Sequence, residues 1–299
     1  MKAMCIDENR NFVWQDVPEP VCHGEFDVKL KVEACAVNRA DLMQRAGIYA
    51  PPEGWPLWPG LECAGVVLEA PAGGRFRPGD RVCALLGGGG YAERVVVPEG
   101  MCMPLPRGFE PWEAAGLPEV YATAYLNLKI VGEIKRGETF FINGGEGGLG
   151  VACIQLAKHV FGAKVVAQVA SDENGEFCKS VGADVVCNRF KDDLVATLRA
   201  NPPDVAIDPV GGKLMGPCLA TRSSASCTRA TARRSRSVAA RFPTTCTTCR
   251  RFGRSSPRAS AAFAPRWPPR SRSVRRAIRT GGSSLRRPLR DSTPSMRSS

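Results

Sequence analysis

The sequence has 299 residues and an excess of 12 positive charges, a length that allows two domains with sizeable cores. The charge is unevenly distributed, since residues 1–220 carry a net charge of −7 and residues 221–299 carry +19. The C-terminal segment holds 20 Arg, no Lys and a single acidic residue, Asp291. The mildly acidic balance of residues 1–220 argues against a nucleic-acid binder in that part of the chain.

The 13 cysteines lie singly along the chain, without the paired spacings of a disulfide framework. The first residues lack the apolar stretch of a secretory signal, and no run of about 18 apolar residues could span a bilayer. We therefore expect a reducing, cytoplasmic setting and no membrane partner.

The first part of the chain, residues 1–118, contains short β-type segments separated by Gly and Pro. This pattern predicts a compact all-β barrel. The predicted strands include 27–37, 65–68 and 94–97, and a helix opened by Pro111 is predicted over 110–130.

From residue 139 onward, strand-length apolar runs alternate with helical periodicity. This alternation predicts right-handed βαβ crossovers and a parallel, doubly wound sheet of the Rossmann type. Four strands are visible, where a complete dinucleotide-binding fold has about six. We therefore predict a barrel domain at 1–118 and a partial Rossmann domain at 119–220. The predicted strands are 139–142, 164–169, 184–187 and 205–207, and the predicted helices are 148–160, 173–181 and 192–200.

Residues 221–299 are rich in Arg, Ser, Thr, Ala and Pro, with no apolar run long enough for a buried strand. Such a segment cannot offset the entropy of ordering, so it is predicted to be disordered. Two hypotheses explain its composition: a shifted reading frame in a GC-rich gene, or an arginine-rich arm that binds RNA. The absence of Lys and the onset in the middle of a domain favour the shifted frame. The strand at 205–207 is then predicted to leave an unpaired, aggregation-prone sheet edge.

The strongest local signal is the sequence GGEGGLG at residues 144–150, which contains the pattern G-x-G-x-x-G. The pattern alone is weak, but here it lies between a buried strand and an amphipathic helix, as phosphate binding requires. Glycines allow a tight turn and a close approach to a pyrophosphate, whose charge lies at the helix N-terminus. The residues predicted to bind a dinucleotide here are Gly145, Gly147, Gly148, Leu149 and Gly150.

Six further motifs occur in a fixed order along the chain: NRADLMQRAGIY (38–49), PGLECAG (59–65), PGDRV (78–82), GGYAE (89–93), EVYATAY (119–125) and IQLAK (154–158). Together they resemble the medium-chain dehydrogenase/reductase superfamily, and within it the zinc-free, zeta-crystallin-like quinone oxidoreductases. The first motif is especially similar to the p53-inducible quinone oxidoreductase group. The resemblance covers residues 1–220 and implies a GroES-like barrel followed by a Rossmann domain.

The resemblance also bears on metal binding. Zinc-dependent relatives carry a catalytic Cys where this sequence has Asn38 and a His ligand where it has Leu61, and the Cys-rich lobe for structural zinc is missing. Zinc requires three or four N, S or O ligands. The two histidines, His23 and His159, lie outside these motifs, and the one Cys-x-x-Cys pair lies in the basic tail. No metal is therefore predicted.

Without a metal, the resemblance implies that NADPH or NADH reduces a small-molecule quinone or enone acceptor. It implies that Asn38 and Tyr49 line the acceptor pocket and hydrogen-bond an oxygen on which negative charge develops. A packing role for Tyr49 at the barrel rim is the open alternative. Thr123 is implied on the nicotinamide side. Asp41 and Glu62 are expected to anchor loops through hydrogen bonds from the backbone.

The choice between NADPH and NADH depends on the end of the second strand of the parallel sheet. A small polar residue with a nearby base accepts the NADP phosphate there, whereas an acidic residue accepts the ribose hydroxyls of NAD. By resemblance, Ser171 matches the NADP pattern, and Arg189 supplies a positive charge in place of a family lysine that is missing. If the alignment with the family shifts by one residue, Asp172 takes the position of the acidic residue that accepts the ribose hydroxyls of NAD. NADPH is therefore favoured and NADH stays open.

The break at residue 220 affects the expected function. In a Rossmann domain, strands 1–3 bind the adenosine half and strands 4–6 the nicotinamide half. The chain is therefore expected to keep most adenosine contacts and to be impaired in orienting the reactive ring. The competing hypothesis is a non-catalytic nucleotide- or RNA-binding protein with a basic arm. The resemblance implies a homodimer, but the truncated sheet argues against one.

Overall fold

The computed structural model describes residues 1–211 and 229–231. The first part is an antiparallel β structure, formed by a hairpin (β1–β2) and a five-stranded sheet in the order β6-β3-β4-β5-β7. A bridge between Ala3 and Ala92 joins the hairpin to the sheet. The strands are β1 (Lys2–Ile6), β2 (Phe12–Asp16), β3 (Asp27–Cys35), β4 (Glu62–Glu69), β5 (Arg81–Leu85), β6 (Arg94–Pro98) and β7 (Cys102–Pro104).

The barrel core follows from the alternation along these strands. Val28 and Leu30 of β3 are fully buried and pack with Val67, Val82 and Val97 from three other strands. The three predicted barrel strands are confirmed, with β4 longer than predicted and β3 ending two residues earlier.

The helices near the domain junction are shorter than the predicted helix over 110–130. The structure has α2 (Pro111–Ala114) and α3 (Pro118–Tyr125), followed by a π-helical segment, Leu126–Val131. The break is explained by Pro118, which cannot donate a backbone hydrogen bond and begins a new helix instead. A further helix, α1 (Arg39–Arg45), lies in the barrel part and was not predicted as helical.

The second part is a parallel sheet in the order β10-β9-β8-β11-β12. Both faces are covered, because Phe140 and Ile142 pack on the α4 side while Phe141 packs with Leu198 of α6. The four predicted strands are confirmed. The strands are β8 (Thr139–Asn143), β9 (Lys164–Val169), β10 (Val185–Asn188), β11 (Val205–Ile207) and β12 (Arg229–Thr231), and the helices are α4 (Gly148–Gln155) with a π-helical continuation at Leu156–Val160, α5 (Asp172–Ser180) and α6 (Leu194–Ala200).

One prediction about this sheet is wrong. The edge of β11 is not unpaired, because β12 pairs with it in parallel, Val205 opposite Arg229 and Ile207 opposite Thr231. The pairing also gives three residues of the predicted disordered tail a regular structure. Strand pairing uses backbone N–H and C=O groups, so the composition of the tail does not prevent it. The rest of the tail lies outside the described residues.

Two findings concern the setting of the chain. None of the helices in the described residues is long and apolar enough to cross a membrane. The nine cysteines within those residues have free thiols.

Candidate active site

The glycine loop, residues 144–150, connects β8 to α4 as predicted and is held against β9. The backbone N–H groups of Gly144 and Gly145 both donate to the carbonyl oxygen of Gln168, at 3.1 and 2.9 Å. Gly147 is the N-cap of α4, and no side chain caps this helix. The first turn of α4 therefore presents backbone N–H groups that suit an anion.

Two glycines of this loop have no room for a side chain. A Cβ on Gly150 would lie 2.3 Å from the carbonyl oxygen of Gly144, and a Cβ on Gly145 would lie 2.9 Å from the Cβ of Ala167. The loop backbone thus packs directly against α4 and β9, the close approach that a dinucleotide pyrophosphate requires. Leu149 packs its side chain against the Rossmann core, so its predicted contact with a cofactor would use the backbone.

Buried oxygen atoms around the loop provide a second test of fit to a dinucleotide. Within the described residues, Glu146 Oε2, Gln168 Oε1 and Asp208 Oδ2 are buried without a hydrogen-bond partner. Buried acceptors are normally satisfied. These three lie at the carboxyl ends of β8, β9 and β11, where an α/β sheet binds its ligand. A ligand rich in hydroxyl and amide donors fits this site.

Asn38, a predicted acceptor residue, is the N-cap of α1. Its Nδ2 donates to Oε1 of Glu62 at 2.8 Å, and Oε2 of Glu62 accepts from the backbone N–H of Glu119 at 2.9 Å. Glu62 is 1% exposed. The amide of Asn38 is therefore held in one orientation by a buried carboxyl group.

Burial also changes the acidity of that group. Removal from water raises the pKa of Glu62 from 4.5 to about 7, and the hydrogen bonds from Glu119 and Asn38 offset only part of this effect. Glu62 consequently changes its charge near neutral pH.

Tyr49 lines an open pocket of about 270 Å³ on the barrel, together with Trp55, Leu61, Met101 and Glu119. The pocket has mostly apolar and aromatic walls with few polar groups, the usual character of a site for a small molecule. Glu119 belongs both to this pocket and, through its backbone, to the Asn38–Glu62 network. The structure thus brings the two predicted acceptor residues, Asn38 and Tyr49, to one region.

Helix α3 connects this region to the glycine loop. Glu119 lies in its first turn, and the neighbouring Val120 lies 3.4 Å from where a Cβ on Gly148 would stand. One turn further on, Thr123 donates its hydroxyl to Oε1 of Glu119 at 3.3 Å. Thr123 thus contacts a residue of the pocket and lies on the helix that also contacts the glycine loop.

Asp41 anchors the loop that precedes β4, as predicted. Its carboxylate accepts from the backbone N–H groups of Asn38 (2.7 Å) and Gly60 (3.2 Å) and from the hydroxyl of Tyr91 (2.8 Å). Burial and the Asp41 carboxylate raise the pKa of Tyr91, which keeps the hydroxyl protonated as the donor.

We expect Tyr91→Phe to lower the free energy of unfolding by about 2 kcal/mol, because it removes a hydrogen bond to a buried charged acceptor. Denaturant unfolding of the full chain measures the change. Tyr49→Phe is the matched control, because it removes the same hydroxyl from a side chain that lines the open pocket and takes no part in this network. Equal losses in the two variants would contradict the special role of the Tyr91–Asp41 bond.

At the adenosine end, Ser171 is the N-cap of α5, and its Oγ accepts from the backbone N–H of Asn174 at 3.1 Å. Arg189 follows β10, with its backbone N–H bonded to the carbonyl oxygen of Val169 at 3.0 Å. Its guanidinium lies over the ring of Phe190, 4.8 Å from the centroid. Ser171 and Arg189 thus lie at the ends of adjacent strands, as the prediction of a phosphate site requires.

Comparisons with known proteins agree with this geometry. Residues 24–107 match the alcohol dehydrogenase GroES-like domain family, and residues 148–227 match the zinc-binding dehydrogenase family. A probable oxidoreductase from Mycobacterium abscessus is 33% identical, with a TM-score of 0.66 and coverage of 77% of both chains. The chain belongs to the medium-chain dehydrogenase/reductase superfamily.

Relatives of the quinone oxidoreductase type support the same placement within this superfamily. Quinone oxidoreductase-like protein 2 of Rattus norvegicus is 33% identical over 70% of this chain. The quinone oxidoreductase of Thermus thermophilus is 32% identical, with a TM-score of 0.61, over 72% of this chain and 69% of that one. The chain spans between 48% and 62% of the length of the curated relatives it matches, and 61% of the Rattus norvegicus protein.

This medium-chain dehydrogenase/reductase shows no group of three or more His, Cys, Asp or Glu placed to hold a metal ion within its described residues. Leu61, which stands where zinc-dependent relatives carry a His ligand, is buried and lines the pocket that contains Tyr49.

Two contributors to the site were missed by sequence reasoning. Glu119 lies 57 residues from its partner Glu62, and Lys191 lies 19 residues from Asp172, with which it forms an ion pair. Glu119 is the first residue of the motif EVYATAY, so that motif was the signal available in the sequence. Nothing local in the sequence indicates the partner of Lys191.

Proposed function

We propose that this protein is an NAD(P)H-dependent oxidoreductase that reduces a quinone or a related conjugated carbonyl without a metal. The observation that carries the proposal is the connection, through α3, of a tightly packed glycine loop to a pocket lined by Tyr49 and Glu119. The quinone oxidoreductases of Thermus thermophilus and Escherichia coli, both solved with NADPH, support the nicotinamide cofactor.

Each predicted residue then has a defined task. The glycine loop and the first turn of α4 hold the pyrophosphate. The cofactor supplies hydride or electrons when bound. The amide of Asn38, oriented by Glu62, and the hydroxyl of Tyr49 hydrogen-bond the acceptor oxygen and stabilise its developing negative charge. Thr123 contacts the nicotinamide side, and Trp55 and Met101 form apolar walls against which the acceptor ring packs.

The proposal includes three further points. NADPH is preferred over NADH, with Ser171 and Arg189 at the phosphate. The protein works in a reducing cytoplasmic setting and forms a homodimer like the family it belongs to. Turnover is impaired, because the sequence beyond residue 220 has no apolar run long enough for the further buried strands that complete the nicotinamide half of a Rossmann domain.

The test is an assay of purified full-length protein for NADPH oxidation with p-benzoquinone and with an enone. We expect turnover that depends on the acceptor and is unchanged by a zinc chelator. NADPH binding is measured separately by calorimetry. Binding without turnover, together with salt-sensitive RNA binding, would instead support the non-catalytic alternative.

The impairment has its own test. Sequencing the coding DNA shows whether a one-base correction near codon 220 restores the βαβ pattern, and the corrected protein is then assayed beside this one. We expect the corrected protein to turn over at least about tenfold faster, since hydride transfer tolerates little misplacement of the donor carbon. Equal kcat values for the two proteins would contradict the impairment.

A further inference from the structure

The start of α5 holds an acidic residue whose carboxylate is already occupied. Asp172 follows Ser171 at the end of β9, where an acidic side chain can accept the ribose hydroxyls of NAD. Its Oδ1 accepts from Nδ2 of Asn188 at 2.6 Å, and its Oδ2 accepts from Nζ of Lys191. Both oxygens therefore have donors, and Asp172 is not free to bind a ribose in this arrangement.

A tight turn after β10 brings Lys191 to this position. The backbone N–H groups of Lys191 and Asp192 both donate to the carbonyl oxygen of Asn188, at 3.0 and 2.8 Å. The carboxylate of Asp192 accepts in return from the N–H of Asn188 at 2.6 Å. Asn188 itself is buried. The turn is thus fixed by its own hydrogen bonds, while the side chain of Lys191 extends toward α5.

The ion pair between Lys191 and Asp172 is open to solvent, with about two-thirds of each side chain exposed. Exposed pairs of this kind contribute little to stability. A phosphate monoester carries up to two negative charges, against one on a carboxylate. Lys191 can therefore exchange Asp172 for a phosphate at little cost, helped by its flexible stem.

We propose that Lys191 is the residue that selects NADPH, and that Asp172 is its resident counter-ion. This inference rests on the proposed function, because it assigns residues to the cofactor of that function. When Lys191 moves to the 2′-phosphate, Asp172 keeps its bond to Asn188. When Lys191 is absent, the freed oxygen of Asp172 accepts a ribose hydroxyl of NADH.

Ser171 and Arg189, which the proposed function also places at the phosphate, add contacts to it, but the charge that holds Asp172 is that of Lys191. Arg189 is exposed, and its guanidinium lies over Phe190 with no carboxylate partner among the ion pairs of the described residues. The hydroxyl of Ser171 accepts from Asn174 and retains its hydrogen for donation to a phosphate oxygen. Lys191 is the cation that already holds an anion at the start of α5.

The experiment measures binding rather than turnover. NADPH and NADH are titrated calorimetrically into the full chain and into Lys191→Gln, Asp172→Asn and Lys179→Gln. Lys179 is the matched control, because it forms a similar exposed pair with Glu176 on the same helix, one to two turns from its start. Each titration is repeated at two salt concentrations, since the 20 Arg beyond residue 220 attract any anion.

We expect Lys191→Gln to raise the Kd for NADPH about tenfold and to leave the Kd for NADH unchanged or lower. Asp172→Asn is expected to lower the Kd for NADPH about threefold, because it removes the competing anion. Lys179→Gln is expected to change neither value by more than about twofold.

Different failures have different meanings. If the wild-type chain binds NADPH and Lys191→Gln binds it equally well, the inference is wrong while the proposed function stands. An equal loss for NADPH and NADH in Lys191→Gln also contradicts selection by this residue. If the wild-type chain binds neither dinucleotide at either salt concentration, the proposed function and this inference both fall.

Discussion

Gly150→Ala is expected to lower the free energy of unfolding by at least ~3 kcal/mol and to weaken NADPH binding at least ~10-fold. The added Cβ would lie 2.3 Å from the carbonyl oxygen of Gly144 and 2.6 Å from that of Gly145. Both contacts are with backbone, so no side-chain rotation can relieve them. Thermal or urea unfolding and calorimetric titration with NADPH measure the two effects.

Gly148→Ala provides the matched control for stability, because it adds the same methyl group two residues away. Its Cβ would meet only Cγ1 of Val120, at an ordinary 3.4 Å. Since Ala favours a helix over Gly by up to about 1 kcal/mol, this variant should be neutral or slightly more stable. If Gly150→Ala proves as stable as Gly148→Ala, the loop does not pack against α4 as described.

Glu62→Gln should remove a pH dependence of stability. The pKa of Glu62 is raised by burial from 4.5 to about 7, so between these values the native state holds a proton that the unfolded state releases. The stabilising contribution is therefore complete below pH 4.5 and is lost as pH rises through 7. The stability of the wild-type chain relative to Glu62→Gln should fall over this window by up to about 3 kcal/mol, as urea unfolding at several pH values measures.

The substitution also leaves one of the two donors, Nδ2 of Asn38 or the N–H of Glu119, without an acceptor, which adds a pH-independent loss. Glu69→Gln, at the other end of β4, is the matched control, because its carboxylate is exposed and pairs with Lys29 at 3.2 Å. A difference between wild type and Glu62→Gln that stays constant with pH would show that Glu62 ionises as an exposed carboxyl does.

The sequence was most informative where the structure depends on local periodicity. The strands of the parallel sheet and the loop at 144–150 follow from apolar runs and glycine spacing, because a buried parallel strand must be apolar on both faces. The π-helical segments after α3 and α4 could not be predicted in this way. Residues 126–131 and 156–160 have the same apolar pattern whether they form an α-helix or a π-helix.

Contacts between distant segments could not be predicted in this way. The bond from Glu119 to Glu62 requires the start of α3 to lie against β4, and the pair of Lys191 with Asp172 requires β9 and β10 to be neighbours. The pairing of β12 with β11 is a third case. It depends on a free strand edge, which any extended segment can use, and not on the side chains of the segment.

Helix α3 has a thermodynamic consequence for the two ligands of the proposed function. This eight-residue helix contacts the barrel through Glu119 and the glycine loop through Val120. A displacement of the helix therefore changes the geometry of both the pocket and the loop. Under the proposed function, any factor by which a bound acceptor changes the affinity for the dinucleotide must equal the factor by which the dinucleotide changes the affinity for the acceptor. The coupling between the two sites is therefore a single number, and titrating either ligand in the presence of the other measures it when the dinucleotide is NADP+, with which the quinone does not react.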